Sequence, residues 1–209
     1  MSVRRKPSIV YWLGSSLYLN ITSRCSNNCY FCIRNFTDGV GGFNLKLKRD
    51  PTTAEIISEL QQVINRRDWS EIVFCGFGEP TERLDCLLEI VRWIRKYHGK
   101  SVLIRIDTNG HGCLLNRGRD VVTELKEAGV DKISVSLNAH DKETYNHICR
   151  PKFSDAYESV LGFIAKAKDS FDLEVTVVPV PEVDIPKTRE ITEKMGVKLK
   201  IREYFPCSY

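Results

Sequence analysis

Three cysteines near the N-terminus carry the strongest chemical signal of the sequence. Cys25, Cys29 and Cys32 are separated by three residues and then by two, and they directly follow the apolar run 17–21. Iron–sulfur clusters normally take four thiolates, so this loop would leave one iron of a four-iron cluster free. A zinc site, buried thiols and a disulfide are the alternatives. Structural zinc sites use four protein ligands, and no fourth Cys or His stands at a regular spacing.

This loop resembles the cluster loop of the radical SAM superfamily, and Phe31, directly before the third cysteine, fits the same pattern. The resemblance implies a [4Fe-4S] cluster whose metal ligands are Cys25, Cys29 and Cys32 and whose open iron binds S-adenosylmethionine. It further implies an enzyme that takes an electron from a reductant such as flavodoxin or ferredoxin. Reductive cleavage then yields a 5′-deoxyadenosyl radical, which abstracts hydrogen from a substrate. No protein side chain is assigned a catalytic role.

A glycine-rich string, Gly76-Phe77-Gly78-Glu79-Pro80, follows the second predicted strand. Glycines let a backbone approach a ligand closely, although a tight turn alone would explain the string. It looks like the motif with which radical SAM proteins bind the amino group of the methionine moiety. Phe77 departs from it, because many members have glycine there.

Polar side chains also follow the third predicted strand, in Asp107-Thr108-Asn109-Gly110. The simple interpretation is an Asx-type turn with glycine at a positive φ. The string resembles a stretch of glycyl-radical-enzyme activases in which such residues lie near the cofactor carboxylate. The resemblance therefore implies that Asp107, Thr108 and Asn109 bind the cofactor.

Alternating polar residues along the fourth predicted strand place Ser134, Ser136 and Asn138 on the inner face of the sheet. Polar groups there are costly unless paired, which favours a ligand or water, and we select Ser136 and Asn138 as cofactor residues. Arg202, after the sixth strand, is either a surface ion pair or a ligand of a substrate carboxylate.

Strand-like and helix-like segments alternate along the chain and predict an α/β fold. We expect strands over 17–22, 72–74, 102–106, 133–137, 173–178 and 197–201, with helices between them. Six units are too few for a closed eight-stranded barrel, so we predict a partial (β/α)6 radical-SAM-type open barrel. Residues 1–15 would be an N-terminal extension, and residues 16–209 would form a single core domain. The segment 35–50 is either a flexible surface loop or a lid.

Composition is typical of a globular protein, with 209 residues, 42% hydrophobic and 28% charged, and a formal net charge of +4. The mild charge favours a solvated surface over a nucleic-acid partner, for which Lys46-Leu47-Lys48-Arg49 is the best local candidate. The sequence shows no signal peptide and no membrane-length apolar run. We therefore expect a cytoplasmic protein with no membrane association.

Five cysteines lie outside the loop, and their spacing matches no second cluster motif. Cys86 falls on a predicted helix and is interpreted as a core residue. The roles of the other four stay open: Cys75, Cys113, Cys149 and Cys207.

A finer resemblance rests on residues 11–14, 17–22 and 32–34, which are similar to the TatD-family-associated radical SAM proteins. That group implies a TatD-type hydrolase as a candidate partner but no identified substrate. A protein, an RNA and a small molecule all stay open. The alternative is a non-catalytic iron–sulfur or zinc module that acts as a partner of such a hydrolase.

Overall fold

The computed structural model describes residues 6–204. A seven-stranded sheet forms its centre, with strand order β1-β2-β5-β6-β7-β8-β9. A separate two-stranded hairpin, β3-β4, follows the cysteine loop. The strands are β1 Val10–Leu13, β2 Ser16–Leu19, β3 Gly39–Val40, β4 Phe43–Asn44, β5 Glu71–Phe74, β6 Leu103–Thr108, β7 Lys132–Ser136, β8 Asp172–Val177 and β9 Lys198–Ile201.

The helices connect these strands along the chain. Their apolar stripes pack on the sheet, and α1 begins at a capping box in which Thr52 and Glu55 exchange hydrogen bonds, as the sequence predicts. Gly129 ends α4 in the left-handed conformation, at a φ of 107°. The helices are α1 Thr53–Gln61, α2 Leu84–His98, α3 Gly112–Leu115, α4 Val121–Ala128, α5 Lys142–Cys149, α6 Ala156–Ala167 and α7 Ile185–Lys194.

The six strands from β2 to β9 in the main sheet pair in parallel and in chain order. β1 and β9 lie at opposite edges, so the sheet is open. The predicted partial barrel is thereby confirmed. Because the carboxyl ends of parallel strands meet at one edge of the sheet, the loops after β2, β5, β6 and β7 gather there.

One strand differs from the expectation. Residues 10–13, inside the predicted N-terminal extension, form β1 and pair antiparallel with β2. Gly14 and Ser15 connect the two strands, and Gly14 has a φ of +56°, a backbone conformation that glycine adopts at little cost. The extension therefore contributes an edge strand to the sheet, while the domain boundary at residue 16 stays a prediction.

The segment 35–50 contains the β3-β4 hairpin and is fixed to the sheet by hydrogen bonds. Asn20 Nδ2 donates to the carbonyl oxygen of Leu45 at 2.9 Å and to that of Ser8 at 3.1 Å. Leu45 itself is buried together with Tyr11 and Phe77. Among residues 6–204, no helix is long and apolar enough to cross a membrane.

Candidate cofactor site

The cysteine loop follows β2 at the carboxyl edge of the sheet and lies against the end of α5. Backbone N–H groups of Asn28 and Tyr30 donate to the carbonyl oxygens of Cys149 and Ile148, at 2.9 and 3.2 Å. A third bond joins the N–H of Lys152 to the carbonyl oxygen of Ser26 at 2.9 Å. These long-range contacts fix the loop that carries the predicted metal ligands.

The three thiols of this loop are free and partly buried. Burial and the Glu79 carboxylate raise the pKa of Cys25 to about 12, and burial also raises the pKa of Cys32. A hydrogen bond from Cys149 and the Arg34 charge lower the pKa of Cys29. Three soft thiol donors on one short loop fit an iron–sulfur cluster.

Among residues 6–204, no three side chains of His, Cys, Asp or Glu are grouped so that they could hold a single metal ion. In a four-iron cluster with three thiolates, each thiolate binds a different iron. The described contacts leave the ligand roles of Cys25, Cys29 and Cys32 as predictions.

A buried polar network lies beside the cysteine loop, and of its members the sequence analysis assigned a role only to Asn109. The His111 ring is hydrogen bonded on both sides, Nδ1 to Ser26 Oγ and Nε2 to the Tyr145 hydroxyl, each at 2.9 Å. Asn27 Nδ2 donates to the same hydroxyl at 2.9 Å. Asn109 Nδ2 donates to Ser26 Oγ at 2.9 Å. The network joins the cysteine loop to the loop after β6 and to α5.

Acidification should weaken the fold through His111. Burial lowers its pKa from 6.5 to about 4, so below pH 6.5 the unfolded chain takes up a proton that the folded chain resists. The stability that neutral His111 contributes is fully present above pH 6.5 and is lost as the pH falls toward 4. The free energy of unfolding should therefore be lower by about 2 kcal/mol at pH 5. Urea unfolding at pH 7 and pH 5 measures this loss.

The matched variants are His111→Phe and His147→Phe, the latter on the exposed face of α5. His111→Phe should be less stable at pH 7 but should lose about 2 kcal/mol less on acidification. His147→Phe should keep the dependence of the unmodified chain. Equal slopes for all three proteins would show that His111 does not titrate on unfolding.

The glycine-rich loop after β5 approaches the chain's own backbone. A Cβ at Gly78 would lie 2.5 Å from the carbonyl oxygens of Thr22 and Arg24, and one at Gly76 would lie 2.1 Å from Asn20 Oδ1. The N–H of Glu79 donates to the same Arg24 oxygen at 2.8 Å. The two glycines therefore let this loop lie against the residues that lead into the cysteine loop.

Gly78→Ala should destabilise the protein by about 1–3 kcal/mol, because backbone atoms must move to admit the methyl group. Gly162→Ala is the matched control, since its Cβ would meet nothing within 4 Å and alanine favours the interior of α6 by about 1 kcal/mol. Urea unfolding measures both changes, and the iron content after reconstitution reports on the cysteine loop. A Gly78→Ala protein as stable as the Gly162→Ala protein would contradict this account.

Glu79 is buried, with 3% of its surface exposed, and its carboxylate joins two loops. Oε1 accepts from Thr81 N at 3.0 Å, Thr81 Oγ1 at 2.7 Å and Thr108 Oγ1 at 2.8 Å. Oε2 accepts from Asn109 N at 2.6 Å. Burial raises the pKa of Glu79, yet four donors surround it, which is the environment of an ionised carboxylate.

The inner face of the sheet carries paired charges. Asp107 lies 2.9 Å from Arg105 and 3.4 Å from Arg202. Arg202 Nη2 also donates to Ser134 Oγ at 3.2 Å, and that hydroxyl donates to Glu174 Oε1 at 3.0 Å. These contacts link the inner face of β6, β7 and β8 to the residue that follows β9. Arg202 therefore forms an ion pair with the largely buried Asp107, and a role as a ligand stays a prediction.

The other predicted cofactor residues are placed as follows. Ser136 Oγ lies 3.4 Å from Thr176 Oγ1. Asn138 is buried and lies beyond the end of β7, at a φ of +60°. Phe31 is buried in the main core and Phe77 in the smaller cluster around Tyr11.

Thr108 and Pro80 are both buried, and Pro80 begins a short 3-10 helix. The Thr108 hydroxyl is used within the protein, since it donates to Glu79 and accepts from Gly110 N at 3.1 Å. Of the Asp107-Thr108-Asn109 string, only Asp107 contacts the charged inner face. The alternation of side chains along a strand explains this difference. Binding of the cofactor by the predicted residues stays a prediction.

A model of the radical SAM superfamily matches residues 19–194. The chain belongs to the radical SAM superfamily. Its members use a [4Fe-4S] cluster and S-adenosylmethionine, so this radical SAM chain is an enzyme with these cofactors. The non-catalytic module considered from the sequence is therefore not retained.

Curated relatives of this radical SAM chain are named for a nucleotide reaction. The chain is 28% identical over 198 residues to "GTP 3′,8-cyclase" of Corynebacterium glutamicum, covering 93% of the chain and 50% of the relative. It is 34% identical over 164 residues to "Probable GTP 3′,8-cyclase" of Saccharolobus islandicus, with 78% and 45% covered. The chain thus spans about half the length of these relatives. They do not support the finer resemblance to TatD-associated proteins, nor a TatD-type or nucleic-acid partner.

Solved structures of low sequence identity share the fold. Streptococcus suis SuiB bound to S-adenosylmethionine superposes with a TM-score of 0.69 at 13% identity, covering 91% of this chain and 40% of SuiB. TYW1 with a lysine-pyruvate adduct gives a TM-score of 0.62 at 18% identity, covering 91% and 65%. These neighbours support the open partial barrel and nothing finer.

Proposed function

We propose that this radical SAM enzyme binds its cluster through Cys25, Cys29 and Cys32 and holds S-adenosylmethionine against the loops after β5 and β6. When bound, these cofactors supply a 5′-deoxyadenosyl radical that abstracts hydrogen from the substrate. The observation that carries the proposal is that one edge of the sheet holds the loop with three free thiols, the loops joined by Glu79 and the charged inner face.

The protein's own residues position the loops that would hold the cofactors. Glu79 ties the glycine-rich loop to the loop after β6, and the His111 network ties the cysteine loop to the same segment. Asp107 and the polar face around Ser136 stand beside these loops and would bind polar groups of the cofactor or the substrate. Fixed loops of this kind reduce the cost of assembling a site around its ligands.

Anaerobic reconstitution tests the proposal. The full chain is loaded with iron and sulfide, reduced with dithionite and mixed with S-adenosylmethionine, and 5′-deoxyadenosine is measured. Four irons per chain and steady formation of 5′-deoxyadenosine are expected. A chain that binds only zinc, or a four-iron protein that leaves S-adenosylmethionine intact, would contradict it.

A nucleoside triphosphate such as GTP is the second, finer proposal, and it rests on the names of the curated relatives. Lys200 on the edge strand β9 and Arg202 directly after it are paired with Glu174 and Asp107, yet their side chains are 57% and 38% exposed, and such cationic groups suit a polyphosphate. GTP should then increase 5′-deoxyadenosine formation and give a new product by mass spectrometry, whereas ATP should not. Cleavage that GTP leaves unchanged would reject this substrate and point to the macromolecular or other small-molecule substrates.

A further inference from the structure

The side chain of Asn109, directly after β6, contacts the first cysteine of the cysteine loop. Asn109 is buried, with 8% of its surface exposed, and its Nδ2 donates to Cys25 Sγ at 3.8 Å. The backbone N–H of Asn27 donates to the same sulfur at 3.4 Å. Sulfur has a larger radius than oxygen and accepts hydrogen bonds at such longer distances. The Cys25 sulfur therefore has two N–H donors, of which one belongs to a side chain.

Neighbouring groups fix the orientation of the Asn109 amide. The backbone N–H of His111 donates to Asn109 Oδ1 at 3.0 Å, which identifies the other end of the amide as its NH2 group. That group carries two hydrogens. One is donated to Ser26 Oγ at 2.9 Å, and the second is left for Cys25 Sγ. The backbone N–H of Asn109 donates to Glu79 Oε2 at 2.6 Å, so its main chain and its side chain are both held.

The chemistry of a cluster ligand gives this contact a role. A cysteine that binds iron does so as a thiolate and has no proton to donate, whereas an amide N–H can only donate. Asn109 is buried, so little water competes for this N–H, and a hydrogen bond is electrostatically stronger there than in water. Hydrogen bonds to the sulfurs are one of the factors that set the reduction potential of an iron–sulfur cluster.

We propose that Asn109 is a positioning residue that donates an N–H hydrogen bond to the Cys25 thiolate and raises the reduction potential of the cluster. The inference rests on the proposed ligand role of Cys25. When the cluster takes up one electron, the negative charge on its sulfurs increases, and a donor stabilises this more negative state. Asn109 then acts through a ligand of the cluster, whereas the resemblance of its motif implies direct binding of S-adenosylmethionine.

A potentiometric titration of the reconstituted protein with dithionite, followed by electron paramagnetic resonance in the absence of S-adenosylmethionine, tests the proposal. Asn109→Ala removes the donor, and its reduction equilibrium constant should fall about threefold to tenfold, or about 28–59 mV for one electron. Asn116→Ala is the matched control, because the Asn116 amide also donates twice, to the carbonyl oxygens of Thr81 at 3.0 Å and Gly112 at 2.9 Å. Neither acceptor is a cysteine, so this variant should keep the potential of the unmodified protein.

Asn109→Leu is a second variant that separates loss of the donor from loss of packing. Leucine has the same number of side-chain heavy atoms with the same branching, and it places methyl groups where the amide oxygen and nitrogen stand. It leaves no cavity beside Cys25 and offers no hydrogen bond. Asn109→Leu should therefore lower the potential about as far as Asn109→Ala does.

The outcomes separate this inference from the proposed function. Potentials of the two Asn109 variants equal to that of Asn116→Ala overturn it, and a weaker binding of S-adenosylmethionine without a shift would assign Asn109 to that cofactor instead. Loss of iron from both Asn109 variants, while Asn116→Ala retains it, also overturns the inference, because Asn109 would then support assembly of the site and not its potential. An unmodified protein that forms no cluster would instead reject the ligand role of Cys25 and the proposed function with it.

Discussion

Replacement of Cys29 with alanine is expected to abolish formation of 5′-deoxyadenosine. Two remaining thiolates cannot hold a cluster that the loop is proposed to bind with three, and loss of a ligand should cost at least about 100-fold in activity, the upper range seen for supporting groups alone. The measurement is iron per chain together with 5′-deoxyadenosine formed under anaerobic reduction.

The chain offers its own controls for this experiment. Cys86 is buried on α2 and Cys113 is partly buried on α3, and both are free thiols away from the loop. Alanine at either position should leave iron content and cleavage close to those of the unmodified protein. Equal cleavage by Cys29→Ala and by these controls would remove the cysteine loop from the reaction.

Much of the fold could be predicted from the sequence because helices and strands alternate with distinct periods. Each of the six parallel strands overlaps the run that predicts it, and α1 begins at the capping box of Thr52 and Glu55. β1 was missed although its signal is present: two four-residue strands flank Gly14 and Ser15, a two-residue hairpin connection.

The candidate site could be predicted in position but only partly in detail. Strand ends identified the loops, and alternation placed Ser134 on the inner face. It could not show that Arg105 and Arg202 pair with Asp107, because a strand pattern gives the face of a side chain and not its partner across the sheet. Nor could the pattern show that Thr108, next to Asp107, donates a hydrogen bond to Glu79.

The sequence pattern could not predict contacts between residues that are far apart in the chain. His111 joins residues 26 and 145, and the carbonyl oxygen of Cys149 accepts from the N–H of Asn28, where α5 packs on the cysteine loop. Only the tertiary structure distinguishes a histidine in solvent from one that connects three segments behind a cofactor site.

Glu79→Gln is expected to destabilise the protein by about 3 kcal/mol and to weaken binding of S-adenosylmethionine while the thiols of the cysteine loop stay intact. The carboxylate accepts four hydrogen bonds, and glutamine keeps one oxygen acceptor. Its amide N–H must then face either Asn109 N–H or the donors on Thr81 and Thr108. A buried donor that faces another donor costs about 1–3 kcal/mol, and the lost bonds to a charged acceptor add to that cost.

Glu89 lies on the exposed face of α2, so Glu89→Gln makes the same chemical change at a carboxylate that is not buried. This control should alter the free energy of unfolding by less than about 0.5 kcal/mol. Urea unfolding of both variants, with isothermal titration of S-adenosylmethionine into the reconstituted proteins, separates two roles of Glu79. If Glu79 acts by bracing the loops, stability and binding fall together. If it contacts only the cofactor, binding falls while stability equals that of Glu89→Gln, and the bracing role is wrong. The four donors around one buried carboxylate favour the first result.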